Sequence, residues 1–97
     1  MRLVAPIIPR SKVVGIGRNW ADHAAELGNE VPEQALFFLK PNTAVIGPGE
    51  PVVLPAYSRE VSLEAELAVV IKRMSKELEP DQVRSAILGF TLSLIHI

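Results

Sequence analysis

Glu64-Ala65-Glu66-Leu67-Ala68-Val69-Val70-Ile71 is the longest strand signal in the chain, and its reading decides the fold class and the chemistry together. Side chains alternate faces along a strand, so Glu64 and Glu66 project from one side, about 6.6 Å apart along the strand axis. Ala68 and Val70 continue that face, and Leu63, Ala65, Leu67, Val69 and Ile71 form the other. Beyond Glu66 both faces are apolar, the pattern of a strand covered on both sides. Two acids entering such a strand are expected to be at least partly buried, and burying like charges together is costly without a compensating cation. Magnesium takes oxygen ligands and is commonly held by one or two carboxylates, with water and substrate oxygens completing the shell. The alternative is an exposed strand end, where glutamates are ordinary.

Working outward, Lys12 to Gly17 (KVVGIG) predicts a short buried strand and Leu36 to Leu39 (LFFL) another, ended by Lys40-Pro41. Between them Asn19 has the character of a helix N-cap, Asp22 sits three residues later in a capping-box position, and Gly28 offers a C-terminal stop. Trp20, Ala24 and Leu27 recur as one apolar helical stripe. Thr43–Ile46 and Val52–Leu54 flank Gly47-Pro48-Gly49-Glu50, which suggests a hairpin. Pro80 suits the first position of a second helix that Gly89 would end, and Gly89-Phe90-Thr91-Leu92 starts a further strand. Short strands with few helices, and no regular strand–helix alternation, give an α+β fold that is mostly β.

Composition excludes several function classes. Ten basic and eleven acidic side chains, well mixed for a net charge of −1, make no electrostatic case for nucleic acid or an anionic membrane. No cysteine is present, so disulfides and zinc-thiolate sites are excluded. The apolar start is too short and proline-broken for a signal peptide, and no run of ~18 apolar residues spans a membrane, so a cytoplasmic protein is expected. Gly15-Ile16-Gly17 follows a strand as a dinucleotide fingerprint would, but the third glycine position holds Trp20, whose ring blocks backbone approach to a pyrophosphate. Neither a phosphate loop nor a GxSxG nucleophile elbow occurs.

Two smaller constellations remain. His23 and Glu26 are i, i+3 neighbours flanking the Trp20/Ala24/Leu27 stripe, where a cleft wall would lie. A carboxylate beside an imidazole fixes its tautomer and stabilises the imidazolium, the arrangement of a general base. The plain alternative is a surface ion pair worth a few tenths of a kcal/mol. Lys40, at a strand end, suits a substrate anion or is simply a solvated lysine.

Four segments, in order, resemble the fumarylacetoacetate hydrolase family. Gly17-Arg18-Asn19-Trp20-Ala21-Asp22-His23-Ala24-Ala25-Glu26 resembles its GRNYADHxxE segment. Phe37-Phe38-Leu39-Lys40-Pro41-Asn42-Thr43 is similar to its FLKPxT segment, and Glu64 to Ile71 to its ExELAVVIG strand. Gly89-Phe90-Thr91 matches the start of G[YF]TxxND. The resemblance implies a partial catalytic domain over residues 1–91. It implies magnesium or manganese held by Glu64, Glu66 and a later aspartate, the metal chelating a 2-oxo acid or 1,3-dicarbonyl, acylpyruvate-like substrate and stabilising enolate charge. His23 and Glu26 would activate water or move protons, and Lys40 with Arg18 would hold substrate. Family outcomes include C–C hydrolysis, decarboxylation and keto–enol isomerisation, often in dimers. The rival from another class is a catalytically inert fragment or binding module, with those residues as surface charge and no metal site.

The sequence departs from the family pattern at several places. Trp20 replaces tyrosine, Ser62 stands where an acidic residue or histidine is common, and Lys72 replaces a glycine. The family register puts asparagine at position 94 and the third metal ligand at 95, where this chain has Leu94 and Ile95. Residues 92–97, Leu92-Ser93-Leu94-Ile95-His96-Ile97, look like the translation of a transposon-end adapter used in sequencing libraries, so His96 is given no role. Re-reading the source DNA is expected to show adapter from about codon 92, with Asn-Asp at the family offset in the genomic continuation. Uninterrupted genomic sequence through codon 97 would overturn that expectation.

Overall fold

The β-branched and aromatic runs form strands and the short polar–alanine stretches form helices. The structure, a computed structural model, describes residue 1 and residues 3–96. Its elements are β1 (Val13–Gly17), α1 (Ala21–Glu26), β2 (Leu36–Lys40), a 3₁₀ turn (Asn42–Ala44), β3 (Leu63–Ile71), α2 (Pro80–Ala86) and β4 (Ile87–His96). This is the expected α+β, mostly β composition. The chain divides into two compact units, Met1–Val52 and Val53–Ile97.

In the first unit β1 and β2 pair antiparallel, from Val13↔Lys40 to Gly17↔Leu36. Gly15 pairs with Phe38, and a Cβ on Gly15 would run into the Phe38 ring. Gly15 therefore serves aromatic packing across a strand pair, which is one physical reason a glycine-rich strand end here need not bind phosphate.

Helix α1 starts one residue later than expected. Trp20, extended at φ −114° and ψ 123°, is the N-cap in place of Asn19, and no side chain caps it. Of the expected apolar stripe only Ala24 is buried, whereas Trp20 and Leu27 are exposed. Six residues make fewer than two turns, too short for a stripe to bury along its length. The C-terminus does follow expectation. Gly28 has φ +69°, its N–H donates to Ala25 O (2.9 Å), and Asn29 N–H donates to Ala24 O (2.8 Å). These are the two bonds of a Schellman motif.

The expected hairpin over 43–54 does not form. Asn42–Ala44 is a 3₁₀ turn and residues 45–62 hold no strand. Pro48, Pro51 and Pro55 each lack the N–H a ladder needs. The central turn survives: Glu50 N–H donates to Gly47 O (3.2 Å), Gly47 N–H donates to Glu50 Oε2 (2.8 Å), and Gly49 has φ +74°.

In the second unit β3 and β4 pair antiparallel over nine residues of β3, with a register shift between Val70 and Ile71 that leaves Leu88 as a bulge. Helix α2 lies in the connection. Pro80 takes its first position as expected, and Glu79 N–H donates to Gln82 Oε1 (3.3 Å) while Gln82 N–H donates to Glu79 O (2.9 Å). The helix ends at Ala86, not at Gly89. Ile87 turns extended (φ −84°, ψ 129°), pairs with Ile71, and Lys72 N–H donates to Ala86 O (2.9 Å). Pairing with β3 claims Ile87 to Gly89 and overrides the helical continuation that local signals favoured.

Strand β3 is not covered on both faces. Leu63, Leu67, Val69 and Ile71 are exposed, as are Leu88, Phe90, Leu92 and Leu94 on the same face of β4. Among its described residues the second unit contains one short helix and two strands, too little to cover both sides of a sheet. Residues 92–96 of the expected adapter-derived tail extend β4, and Ile97 lies outside the described residues.

Gly28→Ala is expected to destabilise the first unit by about 1 kcal/mol. Nothing lies within 4 Å of a Cβ built there, so the loss is purely backbone. Urea unfolding of the two chains measures it, and an unchanged midpoint would contradict the Schellman assignment.

Candidate functional site

Parity along β3 places Glu64 and Glu66 on one face, and both are half-buried while the alternate residues are exposed. The ladder sets Ile95 directly across from Glu64 and Ser93 across from Glu66, with Thr91 across from Ala68 further along the same face. The acids thus lie on the better-covered side of a sheet whose other side is bare leucine, valine and phenylalanine. In donor type the pair suits a hard divalent cation. Among the described residues no group of three or more His, Cys, Asp and Glu side chains comes together to hold a metal ion. The position facing Glu64 is apolar, and the hydroxyl residues Ser93 and Thr91 face Glu66 and Ala68.

The other candidates belong to the first unit. The α1 helix brings His23 and Glu26 together: His23 Nδ1 lies 3.7 Å from Glu26 Oε2. That is ion-pair range and beyond a direct hydrogen bond. The His23 side chain is 39% exposed and that of Glu26 77%, so solvent screens the pair strongly. Lys40 ends β2, half-buried, paired with Val13. Arg18 follows β1 at φ +52°, a left-handed conformation that a non-glycine residue adopts at a cost. Such strain persists where the surroundings over-determine it, and it concentrates at functional positions. His23, Glu26, Lys40 and Arg18 therefore lie within residues 1–52, and Glu64 and Glu66 within residues 53–97.

One residue escaped the sequence reading. Asn42 Nδ2 donates to Pro9 O at 3.2 Å across 33 residues of sequence. The available signal was Pro41, which cannot extend the β2 ladder and leaves the next polar side chain to take over.

Comparison with known proteins gives a consistent picture. The family profile described as "Fumarylacetoacetate (FAA) hydrolase C-terminal" matches residues 12–94. A Mycobacterium tuberculosis protein is 50% identical over 92 residues, covering 95% of this chain and 34% of its own length. The mitochondrial oxaloacetate decarboxylase of Dictyostelium discoideum is 38% identical over 84 residues, covering 86% of this chain and 38% of its own. A crystal structure of 5-carboxymethyl-2-hydroxymuconate delta-isomerase from Mycobacterium smegmatis superposes with a TM-score of 0.83 at 46% identity, covering 98% of this chain and 38% of that one. The chain spans about a third of the length of the curated relatives it matches. Among the described residues no helix is long and apolar enough to cross a membrane.

The strain at Arg18 gives a stability test. Arg18→Gly is expected to stay within about 0.5 kcal/mol of the parent, because relief of strain offsets the added freedom of the unfolded chain. Arg18→Val is expected to cost about 1–2 kcal/mol, since a branched Cβ tolerates positive φ worst. Equal destabilisation by both in urea unfolding would show that the backbone there is not strained.

Proposed function

Because the chain belongs to the fumarylacetoacetate hydrolase family, we propose that it carries part of the active site of a metal-dependent enzyme. The parent enzyme acts on small 2-oxo acids or 1,3-dicarbonyl, acylpyruvate-like compounds, by hydrolysis, decarboxylation or keto–enol isomerisation. The observation that carries this reading is the half-buried pair Glu64 and Glu66 on one face of β3, inside the region the family profile matches.

In this reading Glu64 and Glu66 are two oxygen ligands of Mg²⁺ or Mn²⁺. A cation bound there supplies Lewis-acid polarisation of a chelated 2-oxo acid. The protein's own groups do the rest. His23, with the Glu26 carboxylate 3.7 Å from its Nδ1, is the residue that accepts or returns a proton. Lys40 and Arg18 hold substrate carboxylate, arginine by its paired donors and lysine as a point charge. The proposal extends to a cytoplasmic, dimeric parent. Residues 1–91 are its partial catalytic domain and residues 92–97 an adapter-derived tail.

The rival remains an inert fragment or binding module in which the same residues are solvated charge. Exposure of Glu26 and the 3.7 Å separation from His23 favour it at that pair alone.

With Ile95 facing Glu64, the 97-residue chain is expected to bind Mg²⁺ only in the millimolar range by calorimetry and to show no turnover of oxaloacetate or an acylpyruvate. Clear turnover would refute the idea that the site is one ligand short. In a full-length version, Glu64→Ala with Glu66→Ala is expected to abolish both metal binding and activity; the rival requires neither loss.

A further inference from the structure

The ladder between β1 and β2 ends at Val13↔Lys40, which makes Lys40 its last rung. A terminal rung frays unless something beyond it is tied down. Pro41 follows, extended at φ −63° and ψ 148°, with no N–H to carry the pairing further. Asn42 Nδ2 nevertheless reaches across to Pro9 O, on the segment that leads into β1. A side-chain amide thus stands in for the backbone donor that proline removes, one step past Lys40.

A second, independent contact holds the same segment. A Cβ on Gly47 would meet Ala5 N at 3.0 Å and Val4 C and Cα at 3.2 Å, so the leading segment lies directly against the Gly47 backbone. Residues 4–9 form a strap across the stretch 42–47, clamped at Asn42 and seated at Gly47.

The geometry points to Asn42 as a positioning residue for Lys40: it fixes the strand end from which the lysine reaches an anionic substrate group. This rests on the reading of Lys40 as a substrate-holding residue. Asn42 touches no substrate in this account; it acts through the backbone of Lys40-Pro41.

Oxalate, a small unreactive dicarboxylate, is a suitable probe. Titration of the 97-residue chain, followed by NMR at the Lys40 side-chain signal (identified by its loss in Lys40→Met), reads that site alone. The Lys40 signal is expected to move on addition of oxalate. Asn42→Ala is expected to weaken the apparent affinity roughly two- to tenfold, the equivalent of one net hydrogen bond, with the β1–β2 amide signals retained. Gly47→Ala keeps the amide but crowds the strap at Ala5, and is expected to weaken binding in the same direction. Unchanged affinity in both variants overturns the inference and leaves the Lys40 reading standing. Weakening accompanied by general loss of the β1–β2 amide signals also overturns it, because Asn42 would then be acting on the fold. A wild-type Lys40 signal that ignores oxalate overturns the Lys40 reading and the inference together.

Discussion

Parity in an antiparallel ladder governs the second unit. Once β3 and β4 are in register, every even-numbered residue of β3 lies on one face with the odd-numbered residues of β4 from Gly89 to Ile95. A slip of one residue would exchange the faces entirely. Glu64 and Glu66 would then share a face with leucines of β4, such as Leu92 and Leu94, in place of Ser93 and Ile95. The apolar pairs Leu67–Leu92 and Val69–Phe90 each favour the observed register by a few tenths of a kcal/mol to about 1 kcal/mol. The same alternation that marks the acids as a pair in the sequence is therefore what keeps them paired in space.

The first unit depends on where backbone donors are missing. Pro41 ends one ladder, Pro48 and Pro51 prevent another, and the N–H groups of Gly28 and Asn29 close the helix that carries His23 and Glu26. The side chains proposed for the site sit next to these interruptions: Lys40 before a proline, Arg18 at a left-handed bend, His23 in a helix of six residues. A regular element would position its interior residues more stiffly, whereas element ends present a side chain with less of it covered.

The four strands that form were legible, because β-branched and aromatic runs have few other stable options. The acid pair was legible for the same reason. Two element ends, the start of α1 and the end of α2, were not. Asn19 carries every chemical feature of a cap, yet the chain does not turn helical until Ala21, and its side chain caps nothing. Gly89 looks like a helix terminator only while its partner Val70 is unknown, and a pairing made across sixty-odd Å of extended chain leaves no local trace. The hairpin expectation read the turn residues correctly and neglected the prolines flanking them. Coverage of β3 was overestimated because an apolar run shows that a face wants burial, not that the same unit supplies the cover.

The junction between α2 and β4, where Ala86 ends the helix and Ile87 begins the strand with no residue between, favours one order of closing the ladder. Ile71 and Ile87 are the ladder's nearest partners along the chain, and Leu63 and His96 its most remote. Forming α2 shortens the excursion between the nearest pair, so the least loop entropy is lost by closing there first. The two strands then behave as a zipper, its teeth engaging from the bulge at Leu88 outward. The carboxylates occupy the last teeth to close and the first to part, so the acid pair sits at the ladder's most readily opened end.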